Sequence, residues 1–317
     1  MNKIANAFEN KLMSRRSFIK NISLTALGVT VGGSLLQSYA QMSQMEGTMI
    51  DVNGTSLFHD VVGTGTPMLV MHGGLGLDHA YFRPTLDDWG EFAELHFYDH
   101  RGNGRSAAPS NWDDVTLDTY VEDAEALRQA LGLDDFILFG HSYGGFIAQE
   151  YALRYQDHLA GLILASTSPN VGYAPNFPAW APETGLDAIN RIFSGPMESD
   201  EEWAETWAAA LPVYWKNLDP SLAADIHSRT NYKAAAWNRA AMLLADYNTS
   251  GRLGQINVPT LLLSGREDFV TGPTAHMDMH AELPNSSLVF FEDSGHFPFI
   301  TEKESYKMVV ENWLSEL

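Results

Sequence analysis

The chain has 317 residues, of which 45% are apolar and 11% aromatic. That composition suits one large globular domain with room for an insertion, and excludes a chain that is disordered throughout. There is no cysteine and the net charge is −21, which excludes disulfides, thiolate metal sites and a cysteine nucleophile and speaks against nucleic acid or anionic lipid as partner.

The first forty residues carry an export pattern. Ser14-Arg15-Arg16-Ser17-Phe18-Ile19-Lys20 sets an arginine pair ahead of an apolar stretch from Ile22 to Leu36, and Ser38-Tyr39-Ala40 follows. This leader resembles a twin-arginine signal, with cleavage after Ala40. The apolar stretch is diluted by Ser23, Thr25, Gly28 and Thr30 and is shorter than the ~20 residues a bilayer span requires. Residues 1–40 are therefore expected to be an export signal read by the twin-arginine machinery, and the mature protein to be periplasmic or secreted. Losing five bases and one acid with the leader would take the net charge to −25.

From Thr48 to Gly63 the pattern predicts two strands around Asn53-Gly54, a strong hairpin signal. Gly63-Thr64-Gly65-Thr66-Pro67 reads only as a turn, because the rest of a dinucleotide fingerprint is missing. Short apolar runs follow at Met68 to Met71, Leu95 to Tyr98, Phe136 to Phe139, Leu162 to Ala165, Thr260 to Leu263 and Leu288 to Phe291. Continuous runs of this kind fit strands buried on both faces. Helical periodicity from Leu117 to Leu131 and from Phe146 to Tyr155 separates some of them, which predicts an α/β fold with a mostly parallel sheet covered on both sides.

Between Ser168 and Asn257 the rhythm changes to prolines and then to helical stretches containing five of the eight tryptophans. An insertion at this point, after the sixth strand, would sit over the strand C-termini, where open α/β sheets bind ligands. The expected organisation is a core of residues 41–167 and 258–317 with a helical cap, or lid, of residues 168–257. Most of the cap aromatics are expected to form the cap's own core.

The sharpest motif is Gly140-His141-Ser142-Tyr143-Gly144, directly after the Phe136 strand and before a helical run. Small residues on both sides of Ser142 permit a sharp strand-to-helix turn that presents its hydroxyl as a nucleophile. The Tyr143 N–H can then donate to the oxygen that turns negative as Ser142 adds to a carbonyl. His72-Gly73-Gly74-Leu75-Gly76 follows another strand, and its unencumbered loop lets the Gly74 N–H serve as the second oxyanion donor.

A serine needs a base, normally a histidine oriented by a carboxylate. Asp268 follows the Thr260 strand and His296 follows the Leu288 strand on a glycine-containing loop, giving the chain order Ser, Asp, His. Glu267 is the rival acid. His276 and His280 sit four apart on a predicted helix and read as its surface, since Asp278 between them completes no metalloprotease motif. No metal or cofactor is expected.

With these residues in view, the chain resembles the α/β-hydrolase superfamily, and within it the proline iminopeptidase-like branch. The match is carried by the two glycine motifs above and by Asp99-His100-Arg101-Gly102-Asn103-Gly104-Arg105-Ser106, and extends over about residues 48 to 316. The resemblance implies a helical cap between strands six and seven and release of an N-terminal proline or other residue from short peptides, with cap carboxylates holding the free amine. Glu198, Glu201, Glu202 and Glu205 are available for that role. Leu75 and His100 stand where those peptidases usually carry Pro and Gln, which leaves carboxylesterase, lactonase or amidase activity open. The expectation is thus a serine hydrolase acting on a small molecule or short peptide through Ser142, His296 and Asp268, with a non-catalytic small-ligand receptor as the alternative of another class.

Overall fold

Asn53 and Gly54 both take positive φ, 45° and 69°, which is the two-residue turn whose twist matches paired antiparallel strands. It joins β1 (Thr48–Val52) to β2 (Thr55–Gly63). The computed structural model describes residues 47–317 except Pro84 and Ala174. The proposed export signal lies outside the described residues.

Six further strands complete the sheet: β3 (Thr66–Met71), β4 (Ala93–Tyr98), β5 (Phe136–His141), β6 (Leu159–Ala165), β7 (Thr260–Gly265) and β8 (Ser286–Phe291). Their spatial order is β1-β2-β4-β3-β5-β6-β7-β8. Only β1 with β2 and β2 with β4 run antiparallel; every pair from β4 to β8 is parallel. Because side chains alternate along a strand, each central strand feeds two cores. Met68, Val70, Ile137 and Phe139 enter one apolar cluster, while Leu69, Met71, Phe136 and Leu138 enter another.

Helices close both faces. Helix α1 (Leu117–Leu131) starts at a reciprocal capping box between Thr116 and Thr119 and stops at Gly132, which is left-handed at φ 68°. It packs Tyr120, Val121, Ala124 and Leu127 into the second cluster, beside Phe146, Ile147 and Tyr151 of α2 (Tyr143–Tyr155). Helix α2 begins three residues before the predicted Phe146. Gly144 and Gly145 lend no apolar periodicity, yet they occupy its first turn because a Cβ at Gly144 would strike the Met71 carbonyl and one at Gly145 would lie 2.5 Å from Thr167 Cβ.

Between β6 and β7 the chain forms four cap helices, α3 (Glu183–Ser194), α4 (Asp200–Tyr214), α5 (Pro220–Arg229) and α6 (Ala234–Leu244). Ser199 caps α4 by accepting from Glu202 N, and Asp219 caps α5 ahead of Pro220. Two cap bonds converge on one core loop: Trp203 Nε1 donates to Gly76 O at 2.8 Å and Lys233 N donates to the same oxygen at 2.8 Å.

The chain ends with α7 (Pro273–Glu282) before β8 and with α8 (Pro298–Thr301) and α9 (Lys303–Ser315) after it. The expectation that His276 lies on a helix surface is corrected by α7. His276 is fully buried, and its Nε2 accepts from Thr167 N at 3.3 Å, whereas His280 is exposed and bonds Ser286 Oγ. Among the described residues no helix is long and apolar enough to cross a membrane.

Candidate active site

Ser142 stands between β5 and α2 with φ 54° and ψ −120°, a conformation that costs a non-glycine residue about 1–3 kcal/mol and persists only where neighbours enforce it. Three bonds do so. Ser142 N donates to Ala165 O at 2.9 Å, which continues the parallel ladder, while Gly145 N and the Thr167 hydroxyl both donate to Ser142 O at 2.9 Å. The side chain is thereby lifted off the sheet at the C-terminal ends of the parallel strands.

His296 and Asp268 meet on the neighbouring loops. Asp268 follows β7 and His296 follows β8, and His296 Nδ1 lies 2.9 Å from Asp268 Oδ2. Both are buried. The other His296 nitrogen, Nε2, has no hydrogen-bond partner among the described residues, and His296 and Ser142 line the same cavity. Burial would raise the Asp268 carboxyl, but His296 beside it, the Thr271 hydroxyl and the Val270 amide together hold it well below the usual carboxylate range. A carboxylate so held keeps its charge facing the imidazole. The rival Glu267 is turned away: it accepts from Trp180 Nε1 at 2.6 Å and pairs with Lys216 at 3.1 Å.

Gly74 and Tyr143, the expected oxyanion donors, both border the cavity that Ser142 lines. Gly74 is left-handed at φ 62°. As the first residue of α2, Tyr143 has no intrahelical acceptor for its N–H. The Gly74 amide is likewise unpaired, although its neighbours Gly73 and Gly76 donate to Tyr81 Oη and Asn103 Oδ1, both at 2.6 Å. The glycine loop abuts the serine itself, since a Cβ on Gly73 would lie 2.7 Å from Ser142 Cβ.

Several supporting residues carry little signal in the sequence. His141 is wholly buried beneath the site, with Nδ1 2.8 Å from Tyr81 Oη and Nε2 3.1 Å from His296 O. Burial, then the nearby His296, push its pKa well below that of a free imidazole, so it is a neutral prop for the two catalytic loops. Tyr214 of α4 accepts His296 N on its carbonyl at 2.9 Å and sets its ring edge-on to the imidazole, 5.4 Å between centroids. Thr271 was not singled out in the sequence either; its hydroxyl donates to Asp268 Oδ2 at 2.7 Å.

The cavity above Ser142 has a volume of about 770 Å³. Its roof comes from the cap, through Ile189, Ile192, Trp203, Trp207 and Trp237, and its walls include Phe146, Phe269 and Phe297. Trp203 and Trp237 stack at 4.9 Å with 10° between planes. Trp203, Trp207, Trp215 and Trp237 are buried in the apolar core, as expected of most cap aromatics, and Trp207 and Trp237 also border the cavity. Of the four cap glutamates, none lines the cavity: Glu198, Glu201 and Glu205 are exposed, and Glu202 is taken by Arg191 at 2.6 Å.

Residues 66–303 match the family description of the alpha/beta hydrolase fold. The chain belongs to that family. It is 29% identical over 282 residues to the proline iminopeptidase of Saccharolobus solfataricus, a match covering 81% of this chain and 87% of the relative. Among solved structures it is similar to an esterase from Exiguobacterium antarcticum (TM-score 0.72, 23% identity, 85% of this chain and 99% of the other). An enol-lactonase from Burkholderia xenovorans superposes with a TM-score of 0.70 at 21% identity, over 84% of this chain and 100% of the other. Family membership together with these relatives identifies the protein as a hydrolase.

Proposed function

We propose that this α/β-hydrolase is a serine hydrolase that works through an acyl-enzyme on Ser142. The observation that carries the reading is the 2.9 Å contact of His296 Nδ1 with Asp268 Oδ2, which leaves Nε2 free in the cavity that Ser142 lines. As Ser142 Oγ bonds to the substrate carbonyl carbon, its proton passes to His296 Nε2, and the charged Asp268 carboxylate stabilises the imidazolium that results. The carbonyl oxygen becomes an oxyanion and accepts from Gly74 N–H and Tyr143 N–H, donors of a kind worth about 3–4 kcal/mol each at the transition state. His296 then gives its proton to the leaving group as the bond to carbon breaks. Water repeats the sequence, with His296 taking its proton, and releases the acid and free Ser142.

Release of an N-terminal proline is supported by the curated relatives, and hydrolysis of an ester or lactone by the names of the solved ones. The catalytic steps are common to both. The test is labelling with a fluorophosphonate, followed by peptide mapping and by assay of Ser142→Ala. Stoichiometric modification of Ser142 is expected, with loss of turnover by ~10⁶-fold in the variant and an unchanged circular dichroism spectrum. An unlabelled Ser142 in folded protein, as a receptor would show, overturns the reading.

A further inference from the structure

The cavity is built for an acyl group without charge. Among the described residues that line it there is no Asp, Glu, Lys or Arg. Its polar side chains are mostly occupied by the protein. Asn238 exchanges two bonds with the Met197 backbone at 2.7 and 2.9 Å. Asn170 accepts from Gly172 N and donates to Ser250 Oγ, Tyr173 donates to Asp278, and Ser168 donates to Asn170 O. Besides Ser142 and His296 the exception is Tyr214, which is buried and borders the cavity, and whose phenol has no hydrogen-bond partner among the described residues.

The nearest buried carboxylate, Asp268, is saturated. Its two oxygens accept from the Val270 and Thr271 amides and the Thr271 hydroxyl, and meet His296. A peptide with a free N-terminal proline brings a secondary ammonium with one positive charge and two N–H donors. Among indole and phenyl rings that group would lose part of its water without gaining a counter-ion, and the ring faces offset only part of that cost. An uncharged ring or chain of the same shape loses nothing and gains apolar contact.

We infer that the substrate is an uncharged ester, lactone or amide with an apolar acyl group, and that free N-terminal amines are rejected. This rests on the serine-hydrolase reading of the site. The cap glutamates that an amine would need point outside the cavity, and Tyr214 offers a single neutral donor for a substrate oxygen.

The decisive comparison uses the 2-naphthyl esters of cyclopentanecarboxylic acid and of proline at pH 7. These differ by one ring position, CH₂ against NH₂⁺, and share a leaving group. After correction for spontaneous hydrolysis, kcat/KM is expected to favour the cyclopentane ester by at least ~100-fold, the scale set by an uncompensated charge. The same preparation is treated with the fluorophosphonate. Equal or preferred cleavage of the proline ester, or no cleavage of either ester by protein whose Ser142 is labelled, overturns the substrate class while leaving the serine-hydrolase reading intact. Absence of both cleavage and labelling overturns the two together.

Discussion

Thr271 Oγ1 donates to Asp268 Oδ2 at 2.7 Å, the same carboxylate oxygen that meets His296 Nδ1 at 2.9 Å. The hydroxyl fixes the direction in which the carboxylate presents its charge to the imidazole. Thr271→Val keeps the shape and removes that bond, so kcat is expected to fall by ~10-fold, the scale of one hydrogen bond to a charged group, with little change in KM. Thr271→Ser should restore most of the loss. Steady-state kinetics on the three proteins check this; an unaltered kcat in the valine variant would remove Thr271 from the orienting role.

Stability should fall on mild acidification. Burial lowers the pKa of His72 and of His276 to about 4, and pushes those of His100 and His141 well down. Between pH ~6.5, where an unfolded histidine takes its proton, and about 4, the unfolded chain binds protons at these positions that the folded chain refuses. Each such group removes about 1.4 kcal/mol per pH unit across that window. Asp78 opposes them: burial and the neighbouring Asp99 raise its carboxyl to about 6, so the folded state gains one proton there as pH drops. Four imidazoles outweigh one carboxyl. Urea midpoints measured from pH 7 to pH 4 should decrease steadily, and a flat series would refute the account.

Export remains a proposal carried by Arg15-Arg16 ahead of the apolar stretch. Replacing both by lysine keeps charge and hydropathy but alters the pair itself. Fractionation of cells producing the full chain should show the processed protein outside the cytoplasm, and Arg15→Lys with Arg16→Lys should leave the precursor inside. Identical distribution of both proteins would dismiss the signal.

The eight strands, and the pairing of Asp268 with His296 near Ser142, were legible because the relevant rules are local. Ser142, Asp268 and His296 each follow an apolar run, although the last, β8, is an edge strand only half-buried rather than covered on both faces, and parallel strands bring such ends to one rim of a sheet. The supports were hidden because they depend on distant partners: nothing around Tyr81 announces a contact with His141, sixty residues on. His276 was misplaced for the same reason, since helical spacing says which residues share a face but not which face meets the sheet. The cap posed that problem on a larger scale. Trp203 and Trp207 occupy one side of α4 and Glu201 and Glu205 another, both at i, i+4 spacing. Only packing decides that the indoles look toward the serine and the carboxylates toward water.

The stitching of cap to core at Gly76 also reaches further along the same loop. Trp203 and Lys233 grip Gly76, Asn231 bonds Asp78 through its backbone and side-chain nitrogens at 2.8 and 3.0 Å, and Gly74 lies two residues away. A displacement of α4 or of the turn before α6 would thus pull on the loop that carries the Gly74 amide. On the proposed mechanism, a ligand too bulky for the cap would disturb that loop even with its carbonyl correctly aimed.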